Sequence, residues 1–151
     1  MNRLIDLLEE NADLYKNFLE LEYKKYDTVI KNDIDTLNDI VADEQVYYLK
    51  IRGMEQKREK LLVSLGYKDK TLKEIISVYN DDEKYMLNEK YNELSKLITE
   101  VKKISSLCKT LIEVRMNRIE KAMAQLGEIE NTYSNKQSNK KAKSLILSKK
   151  I

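Results

Sequence analysis

Between residues 87 and 133 an apolar position recurs in alternating steps of four and three: Leu87, Tyr91, Leu94, Ile98, Val101, Ser105, Cys108, Ile112, Arg115, Ile119, Ala122, Leu126, Ile129 and Tyr133. Only Ser105 and Arg115 depart from the apolar pattern. A 3.5-residue period sustained over this length predicts one long helix whose stripe lies against other helices. Those helices belong to this chain, to a second copy, or to a different protein.

Nothing else in the sequence interrupts helix formation. The 151 residues include no proline and three glycines, and these residues cost a helix interior roughly 3 and about 1 kcal/mol each. Charged residues reach 36%, as expected of long solvated helices, and 42% hydrophobic residues exceed what a disordered chain carries. The net charge of +2 is uneven. Residues 135–151 hold six lysines and no acid, a charge of +6, which leaves −4 for the rest of the chain. A weakly acidic body whose faces mix both signs argues against nucleic-acid binding.

Helix-start and helix-stop signals divide the chain. A first helix is predicted over 2–30, with a stripe of Ile5, Leu8, Ala12, Tyr15, Leu19, Glu22, Tyr26 and Val29. Asn32 or Asp33 caps a second helix over 34–65, which carries Leu37, Val41, Glu44, Tyr48, Ile51, Glu55, Arg58, Leu62 and Leu65. Gly66 follows, where a helix ending in a left-handed residue favours glycine. Thr71 and Glu74 form a capping-box pattern for a short helix over 72–79. Asn80 caps the last helix, predicted over 81–131, with Asp81, Asp82 and Glu83 at the positive end of its dipole. The reading is an all-α antiparallel bundle of long helices with one short connecting helix. Residues 1–131 form the helical domain, and 132–151, rich in Lys, Ser and Asn, form a disordered basic tail. Within that tail Leu145, Ile146 and Leu147 make a small apolar cluster.

Helix lengths then locate a site. At 1.5 Å per residue the first two long helices span roughly 43 and 48 Å and the last roughly 75 Å. The last helix is therefore expected to overshoot its neighbours from about Met116. That segment still carries Ile119, Ala122, Leu126 and Ile129, with Met116 and Met123 beside them. A contiguous apolar surface of this kind marks an interaction site, and methionine suits a surface that accepts varied partners. Its occupant is a client protein or a second copy of the chain, the latter giving a homodimer through the C-terminal helix.

The charged stripe residues Glu22, Glu44, Glu55, Arg58 and Arg115 predict a structural layer of Glu–Arg pairs that fixes register. A carboxylate metal site in a helical bundle normally adds histidine, and this chain has none. The lone Cys108 lies in the seam as a small core residue without a histidine to activate it. No glycine-rich phosphate loop is present. Neither an enzyme nor a metal or other cofactor is expected. The single cysteine fits a reducing compartment. No signal peptide or apolar span of about 20 residues is found, so a cytoplasmic protein without stable membrane insertion is expected.

Several segments together resemble the FlgN-type flagellar export chaperones over most of the length. The opening helix and its acidic break, from Leu4 to Leu37, look like the family's first junction. Glu44 followed by the step from Ile51 to Arg58 is similar to the family's acidic position and its Leu-Glu-x-x-Arg step. Thr71-Leu72-Lys73-Glu74-Ile75 looks like the family's short helix, and Leu111-Ile112 falls where it has an apolar pair. Thr132-Tyr133-Ser134 resembles its Thr-Tyr-Gly step, with serine in place of glycine.

The resemblance implies a cytoplasmic type III export chaperone. Such a protein holds hook-associated junction proteins through its C-terminal region and delivers them to the export gate without a cofactor. On this reading Met116, Ile119, Ala122, Met123, Leu126 and Ile129 form the client surface. Tyr133 meets the client or the export gate, or only closes its own helix end. The competing reading is a structural coiled-coil homodimer or scaffold with no secreted client.

Overall fold

A computed structural model describes residues 2–134 of the chain, with side chains at 3–130. Four helices follow one another: α1 (Asn2–Lys31), α2 (Ile34–Ser64), α3 (Leu72–Ile76) and α4 (Asp81–Ser134). Among the described residues there is no strand. The all-α fold read from the sequence is the fold observed. α4 continues to Ser134, three residues into the tail predicted at 132–151; residues 135–151, with the Leu145-Ile146-Leu147 cluster, and the side chain of Tyr133 lie outside the described residues.

Local chemistry sets the helix ends. At the end of α1, Asn32 takes a left-handed φ of 56°. Its N–H reaches the Val29 carbonyl and that of Asp33 the Thr28 carbonyl, a double closure that satisfies two otherwise orphaned acceptors. Asp33 then caps α2 through its side chain, which accepts from the Thr36 N–H at 3.1 Å. α2 ends in the same way: Gly66 has φ 78°, and the N–H groups of Gly66 and Tyr67 reach the carbonyls of Val63 and Leu62. The capping box of Thr71 and Glu74 forms as the sequence predicts. α3 is nevertheless shorter than expected, ending at Ile76. The Ser77 hydroxyl takes the Glu74 carbonyl at 2.6 Å, and the chain loosens over 77–79. Asn80 then caps α4, its side-chain oxygen accepting from the Glu83 N–H at 3.0 Å.

The chain forms two compact units, one over Met1–Lys109 and one from Thr110 onward. In the first unit, contacts between α1 and α2 run in opposite chain order. Glu10 pairs with Lys57, Phe18 stacks on Tyr47 with ring centres 5.2 Å apart, and Lys25 pairs with Glu44. The two helices are therefore antiparallel. Contacts of α1 with α4 run in the same order: Glu9 with Lys90 at 2.9 Å, Lys16 with Glu93 at 2.8 Å, and the Tyr23 hydroxyl donating to Glu100 at 2.8 Å. One end of the unit holds the main core. Leu4, Leu7 and Leu8 of α1 meet Leu61 and Leu62 of α2, Ile75 and Ile76 of α3, and Leu87 and Leu94 of α4. Burying side chains of this size contributes about 1.5–3 kcal/mol each, so this cluster anchors the connecting helix as well as the long ones.

The stripe of α2 differs from the one predicted. The predicted Leu37, Glu44, Ile51, Arg58, Leu62 and Leu65 are buried or half-buried, but Ile40, Tyr47 and Met54 turn inward while Val41, Tyr48 and Glu55 are exposed. Both stripes have a 3.5-residue period and differ only in whether the step of three or of four comes first. Ile40 stands beside Val41 and Tyr47 beside Tyr48. Most of the choice was therefore invisible in the apolar pattern, and packing against α1 and α4 decides it.

Candidate functional site

The seam of α4 changes character along its length. Leu87, Leu94, Val101 and Cys108 are buried, and Tyr91, Ile98 and Ser105 are half-buried. Ile112 and Arg115, in the second unit, are half-buried. From Met116 onward every apolar seam residue with a described side chain is exposed. Ile119 is 56% exposed, Leu126 60% and Ile129 52%, and Ala122, Met116 and Met123 are exposed too. These residues lie on one face, because positions three and four apart share a face and a 3.5-residue period keeps the stripe aligned.

This face is asymmetric. Met116 and Met123 flank one side of the Ile119–Ala122–Leu126–Ile129 stripe, and Arg118 and Gln125 flank the other. Ala122 leaves a shallow notch between larger neighbours. The arrangement suits an amphipathic helix laid along the stripe, with a large apolar side chain over Ala122 and polar groups along the Arg118 edge. It offers no chemistry for bond making: no acid, base or nucleophile lies in the stripe. Among the described residues, no group of three or more His, Cys, Asp or Glu side chains is placed to hold a metal ion.

The polar stripe residues occupy three different environments. Glu22 and Glu44 are buried on facing sides of α1 and α2 in the first unit. The cation that answers them is Lys25, whose ammonium donates to Glu44 at 2.7 Å. Glu55 and Arg58 do pair, but within α2, with the Arg58 Nε donating at 2.9 Å. Arg115 lies in the second unit. The expected Glu–Arg layer across the bundle is thus a Lys–Glu pair across α1 and α2, with an i,i+3 pair on α2 apart from it. Sequence reading missed Lys25 because it falls off the drawn stripe; its i+3 spacing from Glu22 was the available signal.

Glu22 has no exposure, and neither carboxyl oxygen makes a hydrogen bond among the described residues. Burial pushes its carboxyl up to about 8, and the neighbouring Glu44 adds to the rise, while Lys25 and Ser105 oppose it. Cys108 lies against the same helix, its thiol 3.9 Å from the Glu22 carbonyl oxygen. Burial pushes this thiol up as well, and Glu22 adds to the shift. Cys108 is therefore a neutral core side chain at neutral pH, the role its place in the seam predicts.

No described helix is long and apolar enough to cross a membrane. A family model described as FlgN protein matches residues 1–141. No curated protein and no solved structure matches the chain.

Proposed function

The chain belongs to the FlgN family of flagellar export chaperones, and we propose that it holds hook-associated junction proteins in the cytoplasm on the α4 face formed by Met116, Ile119, Ala122, Met123, Leu126 and Ile129. The observation that carries this reading is the run of exposed apolar residues on one helical face, where the preceding seam is buried or half-buried. Each Leu or Ile anchor that becomes fully covered contributes about 1.5–3 kcal/mol of apolar burial before ordering costs. Three such anchors supply roughly 4.5–9 kcal/mol before those costs, which by itself corresponds to a weak, reversible complex. Reversibility suits a chaperone that must release its client to the export gate. Holding needs no bond chemistry, so the protein acts without catalysis or a cofactor.

Binding of the full-length chain to purified junction proteins tests the proposal. Leu126→Asp combined with Ile129→Asp places two charges in the stripe and is expected to abolish capture while leaving helicity and oligomeric state unchanged. Undiminished capture by that variant removes this face from the function. Self-pairing of the same face, the scaffold reading, predicts instead that the double substitution converts a dimer into a monomer in the absence of client.

A further inference from the structure

α2 carries a second stripe away from its core face, with Val46 and Gly53 at the rim of the groove beside α1. Asp35, Asp39, Ala42, Val46, Leu49, Gly53, Gln56 and Lys60 recur in alternating steps of four and three, and all are exposed. Leu49 is 68% exposed. A side chain added at Gly53 would meet nothing within 4 Å. Packing within this chain therefore does not explain a glycine that costs the helix about 1 kcal/mol relative to alanine.

The order of charge along this stripe selects a partner. It begins with two acids, is apolar and small in the middle, and ends on a lysine. Only Asp35 lies in the first turn of α2, and no basic residue lies in the last. The helix dipole, which acts over the terminal turns, accounts for Asp35 but not for Asp39, Asp43, Lys50 or Lys60. A second α2 laid parallel sets like charges against each other. Laid antiparallel, it sets unlike charges together.

We propose that two copies of this chain associate through α2 in antiparallel register. Alternate-layer packing then brings Leu49 against Val46 of the second copy, Gly53 against Ala42, Gln56 against Asp39 and Lys60 against Asp35. Beside the stripe, Asp43 comes opposite Lys50 of the second copy. Each contact occurs twice about the two-fold axis. The Gly53–Ala42 layers let the two backbones approach closely, a use for the glycine that the single chain lacks. This surface lies wholly within the first unit and shares no residue with the α4 face.

The register is testable by cysteine pairing in the full-length chain. Residues 42 and 53 of one helix stand roughly 16 Å apart, too far for a disulfide within the chain. Ala42→Cys with Gly53→Cys is expected to give a disulfide-linked dimer under mild oxidation, and either substitution alone is expected to give none. Leu49→Asp is expected to abolish the dimer seen by sedimentation without loss of helicity. Asp43→Lys should weaken it, and Asp43→Lys with Lys50→Asp should restore it. A wild-type chain that sediments as a monomer at every concentration overturns the proposal. So does cross-linking by a single cysteine, which indicates parallel pairing, or a dimer that survives Leu49→Asp but not Leu126→Asp.

Discussion

The ammonium of Lys25 donates to a Glu44 carboxylate oxygen at 2.7 Å, joining α1 to α2 where both side chains are largely withdrawn from solvent. Burying two charges costs several kcal/mol, and their attraction and hydrogen bonding offset that cost only while both are present. The pair is therefore expected to favour this register of the two helices more than to add stability. A slipped pairing strands one charge in the interior.

Removing one partner is expected to be severe. Lys25→Met leaves Glu44 buried beside Glu22 without its cation and should cost about 3–5 kcal/mol. Glu55→Ala, which removes the solvent-exposed partner of Arg58, should cost about 0.5 kcal/mol or less. Urea denaturation of the two variants measures both. Equal losses would mean that burial does not distinguish the two pairs.

Glu22 makes stability depend on pH in an unusual direction for a carboxylate. Its carboxyl is held up at about 8 in the fold, against an ordinary value of 4.5. Below the ordinary value both folded and unfolded chains are protonated, and the contribution is fully present. As pH rises the unfolded chain releases the proton first, so stability falls by up to about 1.4 kcal/mol per pH unit. The loss is complete once pH passes the folded value. Glu22→Gln cannot ionise and is expected to flatten this slope, so that its advantage over the wild type grows from mildly acidic to mildly alkaline pH. Denaturation midpoints over that range check the sign; a difference independent of pH rules out the titration.

The connecting segment should respond to its caps. Thr71→Ala removes the hydroxyl that accepts the Glu74 N–H and should cost about 1 kcal/mol. Gly66→Ala puts a side chain on a left-handed residue with open space around it. The cost there is conformational, about 1–2 kcal/mol, and Gly66→Asn should recover part of it, because asparagine tolerates that conformation. Thermal unfolding of the three variants tests the ranking.

Much of the candidate site was legible before folding was considered. The seam of α4 is a repeat within one helix, and helical geometry alone puts Ile119, Ala122, Leu126 and Ile129 on one face. That they are exposed, while Leu94, Val101 and Cys108 are buried, depends on what other elements cover, which periodicity does not encode. The comparison of helix lengths nonetheless placed the change near Met116.

Helix identity, helix ends and the class of fold come from short-range physics: proline absence, the Thr71–Glu74 box, the Asp33 and Asn80 caps and the glycine after α2. These interactions span three or four residues, so the local sequence contains both partners. The core face of α2 does not follow in this way. Ile40 and Val41, and Tyr47 and Tyr48, are adjacent apolar residues, and either stripe satisfies the period. Tertiary packing decides between them: Glu44 and Arg58 lie on both, and the observed face turns Ile40, Tyr47 and Met54 inward and leaves Val41, Tyr48 and Glu55 outside. The residues of α1 and α4 that α2 packs against settle this choice, and they lie far off in sequence, as does Lys25, which answers the buried Glu44 from α1.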